Sequence, residues 1–225
     1  MIDFTGRVVV VTGGTRGIGR GIGERFLAAG ARVVALGRKT PETPVGEFRA
    51  CDVRDAAQID GVVSAIAEAH GRLDVLVNNA GGSPFALAAD ASPRFTQAII
   101  DLNLVAPINM ARAANAVMQQ QPDGGAIVNI ASVSGTRPSP GTAAHGAAKA
   151  GLLNATASLA VEWAPKMRVN AIVAGLIRTE LAHLHYGDEA GIARVATTVP
   201  QGRMGTPDDI ADACMYLASP QAAYV

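Results

Sequence analysis

The feature that most constrains this chain is a cluster of glycines, Gly13-Gly14-Thr15-Arg16-Gly17-Ile18-Gly19, set directly after a run of valines. Residues 7–12 (RVVVVT) show no polar alternation, which predicts a short strand buried on both faces. After the glycines, Ile18, Ile22, Phe26 and Leu27 recur at helical spacing, and Gly30 marks the stop. Residues 32–36 (RVVAL) repeat the strand signature. Strand, glycine turn, helix, strand is a βαβ unit, and its crossover makes the two strands parallel neighbours.

The alternation continues along the chain. Further strands are predicted over 47–51, 73–77, 126–130 and 167–173, and further helices over 55–70, 92–121, 145–163 and 208–218. Asp55 supplies one helix start, Thr206-Pro207 another, and Gly71 a stop. Residues 38–47 hold two prolines and no apolar period, so they read as a loop that leaves one face of the sheet thinly covered near Ala35. This order implies an α/β fold: a Rossmann-like, doubly wound parallel sheet in three α/β/α layers, with strand order 3-2-1-4-5-6. No repeat and no long linker divides the sequence, so residues 1–225 read as one domain.

Composition then excludes several function classes. Nineteen basic residues balance nineteen acidic ones, which removes the electrostatic footprint of a nucleic-acid binder. No apolar run is long enough to span a bilayer, and the opening residues (MIDFTGR) lack the segments of a secretory signal, so a cytoplasmic protein is expected. Cys51 and Cys214 form no disulfide framework and no metal-ligand spacing, and His183 and His185 are not read as a metal site.

The glycine turn carries the chemistry. Between a buried strand and a helix start, backbone N–H groups lack partners and the helix dipole adds partial positive charge, so a pyrophosphate is the natural guest. Glycines let that guest approach without a Cβ in the way. A plain glycine-rich turn is the alternative, but the strand–turn–helix context is the one dinucleotide binding requires.

The spacing, Thr12-Gly13-x-x-x-Gly17-x-Gly19, resembles the cofactor loop of the short-chain dehydrogenase/reductase family. Other segments agree in order: Cys51-Asp52-Val53, Asn78-Asn79-Ala80-Gly81, Asn103 in DLNL, Ser132 in NIASVSG, Lys149 in AAKAG, and RVNAIVAG over 168–175. The resemblance implies an NAD(P)-dependent oxidoreductase that interconverts a carbonyl and a secondary alcohol on a small molecule. A 3-oxoacyl reductase or a related ketone or alcohol enzyme would fit, assembled as a homotetramer or homodimer. It implies that Gly13, Thr15, Gly17 and Gly19 line the pyrophosphate with Ile18 beneath, that Asp52 faces the adenine beside Val53, and that Asn79 braces the sheet. Ala80 and Gly81 would border the nicotinamide ribose, and Gly175, Ile177 and Thr179 the carboxamide. NAD-specific relatives usually carry an acid after strand two; here Gly37 is followed by Arg38 and Lys39, and Arg16 lies in the glycine loop. Such cations suit a 2′-phosphate, so NADP(H) is expected ahead of NAD(H).

The family's catalytic Asn, Ser and Lys fall on Asn103, Ser132 and Lys149. Pro107, four residues after Asn103, has no N–H to give, so the Asn103 carbonyl loses its helical partner. The catalytic Tyr position, four residues before Lys149, holds His145, and Tyr186, Tyr216 and Tyr224 all lie far downstream. An imidazole beside an ammonium is neutral near pH 7, an adequate base but a poor acid. This favours alcohol oxidation, or reduction at a more acidic optimum. A cofactor-binding protein with little turnover, a sensor or subunit, is the function of another class that the same residues allow. Further departures are Ala174-Gly175 in place of the family's Pro-Gly, and a sequence ending at Val225, about where the family's final strand would follow. Substrate contacts are expected from Ser83, Pro84, Phe85, Arg137, His183 and Tyr186.

Overall fold

The computed structural model describes residues 2–225. Six parallel strands, β1 (Val8–Thr12), β2 (Arg32–Gly37), β3 (Glu47–Ala50), β4 (Val75–Asn78), β5 (Gly125–Ser132) and β6 (Met167–Ala174), form one sheet in the order β3-β2-β1-β4-β5-β6. Successive side chains of a strand point to opposite faces, so an unbroken valine run feeds two cores at once. Val8 and Val10 join Val34, Leu36 and Leu76 on one face, while Val9 and Val11 join Val33, Val75 and Val77 on the other.

The first face is covered by α2 (Ala56–His70), α4 (Ala106–Met118) and α5 (Ala143–Trp163), through Ile59, Val63, Ile66, Met110, Met118 and a partly buried Trp163. The second is covered by α1 (Gly17–Ala28) and α8 (Pro207–Ala218), through Ile22, Phe26, Ile210, Cys214 and Met215. Asp55 caps α2 by accepting from Ala57 and Gln58 N–H, and left-handed Gly71 ends it. Thr206 and Asp209 form a reciprocal capping box on α8, with Pro207 in its first turn.

Four expectations need correction. The predicted helix over 92–121 is three pieces: α3 (Pro93–Ile100), a π-helical turn (Asp101–Val105) and α4, which ends at Met118. The missing N–H of Pro107 lies two residues beyond the π turn, and the Ala106 N–H between them reaches back to the Asp101 carbonyl. The segment 180–203, over which no element is predicted, holds two short helices, α6 (His183–Tyr186) and α7 (Glu189–Thr197), folded around buried Ala182, Ile192 and Met204. Ala35 is not thinly covered; a Cβ on Gly14 would stand 2.9 Å from its own, so the glycine turn is its lid. Leu27, assigned to the apolar stripe of α1, is exposed.

Candidate active site

The strand order reverses between β1 and β4, and the glycine turn opens there. In an open parallel sheet this is where ligands bind, at the carboxyl ends of the strands. Thr12, the one polar side chain of β1, is buried, and its hydroxyl accepts from both the Asn79 and Ala80 N–H groups at 2.9 Å. Asn79 returns the bond, its Nδ2 donating to the Thr12 carbonyl at 2.9 Å and the Gly13 carbonyl at 3.3 Å. The two strand ends are thus tied together under the turn.

The turn fits a phosphate group by construction. Gly13 and Gly17 have φ of 64° and 52°, values that L side chains rarely adopt. A Cβ on Gly19 would land inside contact distance of the Gly13 carbonyl oxygen and Asn79 Nδ2. Arg16 stands at the N-cap of α1 without a side-chain cap bond, and the first turn contains no acid. The N-terminal N–H groups of α1 therefore lack a cap from their own helix. Thr179 lies over the turn, its Cγ2 3.4 Å from the Cβ position of Gly17, held there by an Ile177–Gly205 bridge. Gly175 has open space around it. Thr15 sits against Gly37 at the end of β2, with exposed Arg16, Arg38 and Lys39 nearby in sequence. Asp52 accepts two bonds from the Arg54 guanidinium and one from the Arg54 N–H; these, with Arg38 adding its charge, hold the carboxyl down at about 2. Val53 is buried in the core behind it.

Beyond β4 the catalytic candidates gather. Asn103, fully buried on the π turn, clamps the loop after β4: Oδ1 accepts from Gly82 N–H and Nδ2 donates to the Gly82 carbonyl, each at 2.9 Å. Lys149, buried on α5, donates from Nζ to the Ile130 carbonyl at 2.7 Å. Gly81 lies between them; a Cβ there would be 2.8 Å from Asn103 Oδ1 and 3.3 Å from Lys149 Nζ. Ser132 ends β5, its hydroxyl accepting from Ser134 N–H at 3.1 Å. The turn after it packs tightly on α5: a Cβ on Gly135 would sit 2.7 Å from Ala150 N. That contact sets Ser132 beside the helix carrying His145 and Lys149. A buried string, Asn78 to Asn129 to Thr156, with bonds of 2.9 Å, ties β4, β5 and α5 together behind them.

A family model described as enoyl-(acyl carrier protein) reductase matches residues 13–225. The 3alpha-hydroxysteroid dehydrogenase of Mediterraneibacter gnavus is 34% identical over 233 residues, covering 97% of this chain and 92% of that protein. The 3-oxoacyl-[acyl-carrier-protein] reductase FabG of Escherichia coli is 35% identical over 235 residues, covering 100% and 94%. This chain belongs to the short-chain dehydrogenase/reductase family. The ligand-free structure of Thermoplasma acidophilum aldohexose dehydrogenase superposes with a TM-score of 0.93 at 32% identity, covering 97% of this chain and 89% of that one. The family is one of NAD(P)-dependent oxidoreductases acting between carbonyls and alcohols.

Against that family the electrostatics of position 145 stand out. Burial, with the charge of Lys149, pushes the His145 imidazole down to about 4, and burial brings Lys149 down to about 8. His145 is partly buried, and its imidazole makes no hydrogen bond among the described residues. Of the expected substrate contacts, Phe85 is 72% exposed and rests against Gly141, where the Ala86 N–H donates to the Gly141 carbonyl. Tyr186 is partly buried beside the small core of α6 and α7. Two residues hold roles that the sequence did not assign to them. Thr12 could have been noticed as the lone hydroxyl ending an all-valine strand. Glu180 gave no local signal: its carboxylate accepts from Gly17 N–H at 2.9 Å across a separation of 163 residues. No helix among the described residues is long and apolar enough to cross a membrane, and no cluster of metal-ligating side chains is present among them.

Proposed function

We propose that this chain is a dehydrogenase/reductase that binds NADP(H) in preference to NAD(H) and interconverts a carbonyl and a secondary alcohol with His145 as the proton-handling group. The observation that carries the reading is Gly81, wedged between Asn103 and Lys149, with its neighbour Ala80 3.1 Å from the Cβ position of Gly13 in the turn that leads to an α1 N-terminus its own helix leaves uncapped. When bound, the dinucleotide supplies a hydride acceptor or donor. Gly13, Gly17, Gly19 and Ile18 cradle its phosphates, and Asn79, Ala80, Gly81 and Thr179 surround the nicotinamide end. Thr15, Arg16 and Arg38 serve the adenosine ribose, where two guanidinium groups favour a 2′-phosphate. Asp52 and Val53 border the adenine, and Gly175 and Ile177 shape the floor of the pocket.

Ser132 positions the substrate oxygen and Lys149 holds the ribose, while burial, with the Lys149 charge added, keeps His145 unprotonated. His145 Nε2 or Nδ1 takes the proton of an alcohol, directly or through one water, and carries it toward solvent. In the opposite direction the imidazole must first be protonated, which its depressed pKa disfavours. Oxidation is accordingly expected to stay level through neutral pH, while reduction gains as the pH falls. Residues 1–225 act as one cytoplasmic unit. The outer row of α5 (Ala147, Ala150, Ala157 and Val161, the last 81% exposed) is covered by a second copy in a homodimer or homotetramer, which light scattering will weigh.

The test is turnover: NADPH consumption with a panel of ketones and 3-oxoacyl thioesters, and NADP⁺ reduction with the matching alcohols. Turnover with one class names the substrate. Tight cofactor binding with no turnover on any would favour the sensor or subunit reading instead.

A further inference from the structure

The α1 N-terminus has a guest from its own chain. Gly17 N–H donates to Glu180 Oε1 at 2.9 Å, and Glu180 Oε2 lies 3.9 Å from the Cβ position of Gly17. Nothing local fills this role: the N-cap Arg16 makes no side-chain cap bond and the first turn has no acid. A carboxylate at a helix N-terminus is stabilised by the same N–H groups and dipole that hold a phosphate.

We propose that Glu180 is a built-in competitor for the cofactor's phosphates, capping α1 in the free protein and leaving Gly17 N–H when a dinucleotide seats. The inference rests on the cofactor reading above. The backbone on either side is pinned: the Ala182 N–H donates to the Thr179 carbonyl at 3.0 Å, and Ala182 is buried against Ile192 and Met204. The Glu180 side chain, by contrast, is exposed. Release is therefore a rotation of one flexible side chain and not an opening of the α6–α7 segment. A cleft of about 420 Å³ beside it, lined by Arg178, Thr179, His183, Glu189 and Thr206, receives the freed carboxylate. Arg178 does not hold it already, being engaged by both Glu189 oxygens at 2.9 Å.

A contact made only in the free state raises the apparent Kd of whatever replaces it. Glu180→Gln keeps the shape and removes the charge; Glu180→Ala removes the cap altogether. Both variants should bind NADPH about two- to tenfold more tightly than the parent, the range expected for a cap of this kind. Inorganic pyrophosphate, as a competitor of NADPH, should gain by a similar factor, whereas adenosine, which has no phosphate, should bind unchanged. The readout is NADPH fluorescence on titration, with no turnover required. Equal or weaker NADPH binding by both variants would overturn the proposal, and so would an equal gain for adenosine. The parent titration judges the cofactor reading separately: if the parent binds neither NADPH nor NADH at millimolar concentration, that reading falls and takes this one with it.

Discussion

Changing the assay pH separates an imidazole at position 145 from the phenol that the family usually carries there. Carbonyl reduction consumes a proton, so the ratio of kcat/KM for reduction to kcat/KM for oxidation must fall about tenfold per pH unit, whatever the enzyme. Which direction carries that slope depends on where the proton resides. With its pKa at about 4, His145 is neutral over nearly the whole working range. The protonated fraction is roughly one in eleven at pH 5 and one in a thousand at pH 7. Lys149, at about 8, stays cationic across the same interval. Oxidation by the parent should therefore stay within about 1.2-fold between pH 5 and 7, while reduction falls about a hundredfold. In His145→Tyr the phenol keeps its proton, so reduction should be level and oxidation should climb about a hundredfold over those two pH units. The assay is initial rate at subsaturating substrate, because kcat/KM reports the groups of the free enzyme. Level reduction with rising oxidation in the parent would refute the reasoning, since the proton would then reside on a group other than a neutral imidazole.

Three further substitutions probe the cofactor end. Gly19→Ala drives a methyl into the Gly13 carbonyl and Asn79 Nδ2, both parts of the strand-end brace, so it should weaken NADPH binding at least tenfold and cost about 1–3 kcal/mol in denaturant unfolding. Arg16→Ser and Arg38→Ser should each raise the Kd of NADPH about five- to tenfold and leave that of NADH within a factor of two; equal losses for both cofactors would remove these side chains from 2′-phosphate recognition.

Much of the fold was legible because a few local signals were unambiguous. A short run of β-branched residues with no polar alternation, stopped by glycines, favours a doubly buried strand, and a glycine cluster between it and an apolar helix stripe points to the first crossover. Strand order followed from those units and from the family resemblance. What the sequence did not disclose rests on contacts distant in the chain. The π turn arises where Pro107 removes a donor while Asn103 clamps Gly82, two constraints that no propensity reports together. Helices α6 and α7 share too small a core, Ala182, Ile192 and Met204, to leave a readable period. Leu27 lies nine residues after Ile18 and five after Ile22, roughly 180° and 140° around the helix, so it stands off the stripe that Ile18, Ile22 and Phe26 form and is exposed. At the site, residue types were readable at Asn103, Ser132, His145 and Lys149. The depth of burial that depresses both His145 and Lys149 needed three dimensions, as did the reach of Glu180 to Gly17.

The most direct test of the account is NADP⁺-dependent alcohol oxidation at pH 7 by the parent and by His145→Phe, side by side on the same secondary alcohols. If the neutral imidazole is the base, the parent turns over and the variant loses about a hundredfold or more in kcat/KM while its NADPH affinity is kept. Equal rates in the two proteins, or no oxidation by the parent at any pH between 5 and 8, would contradict it.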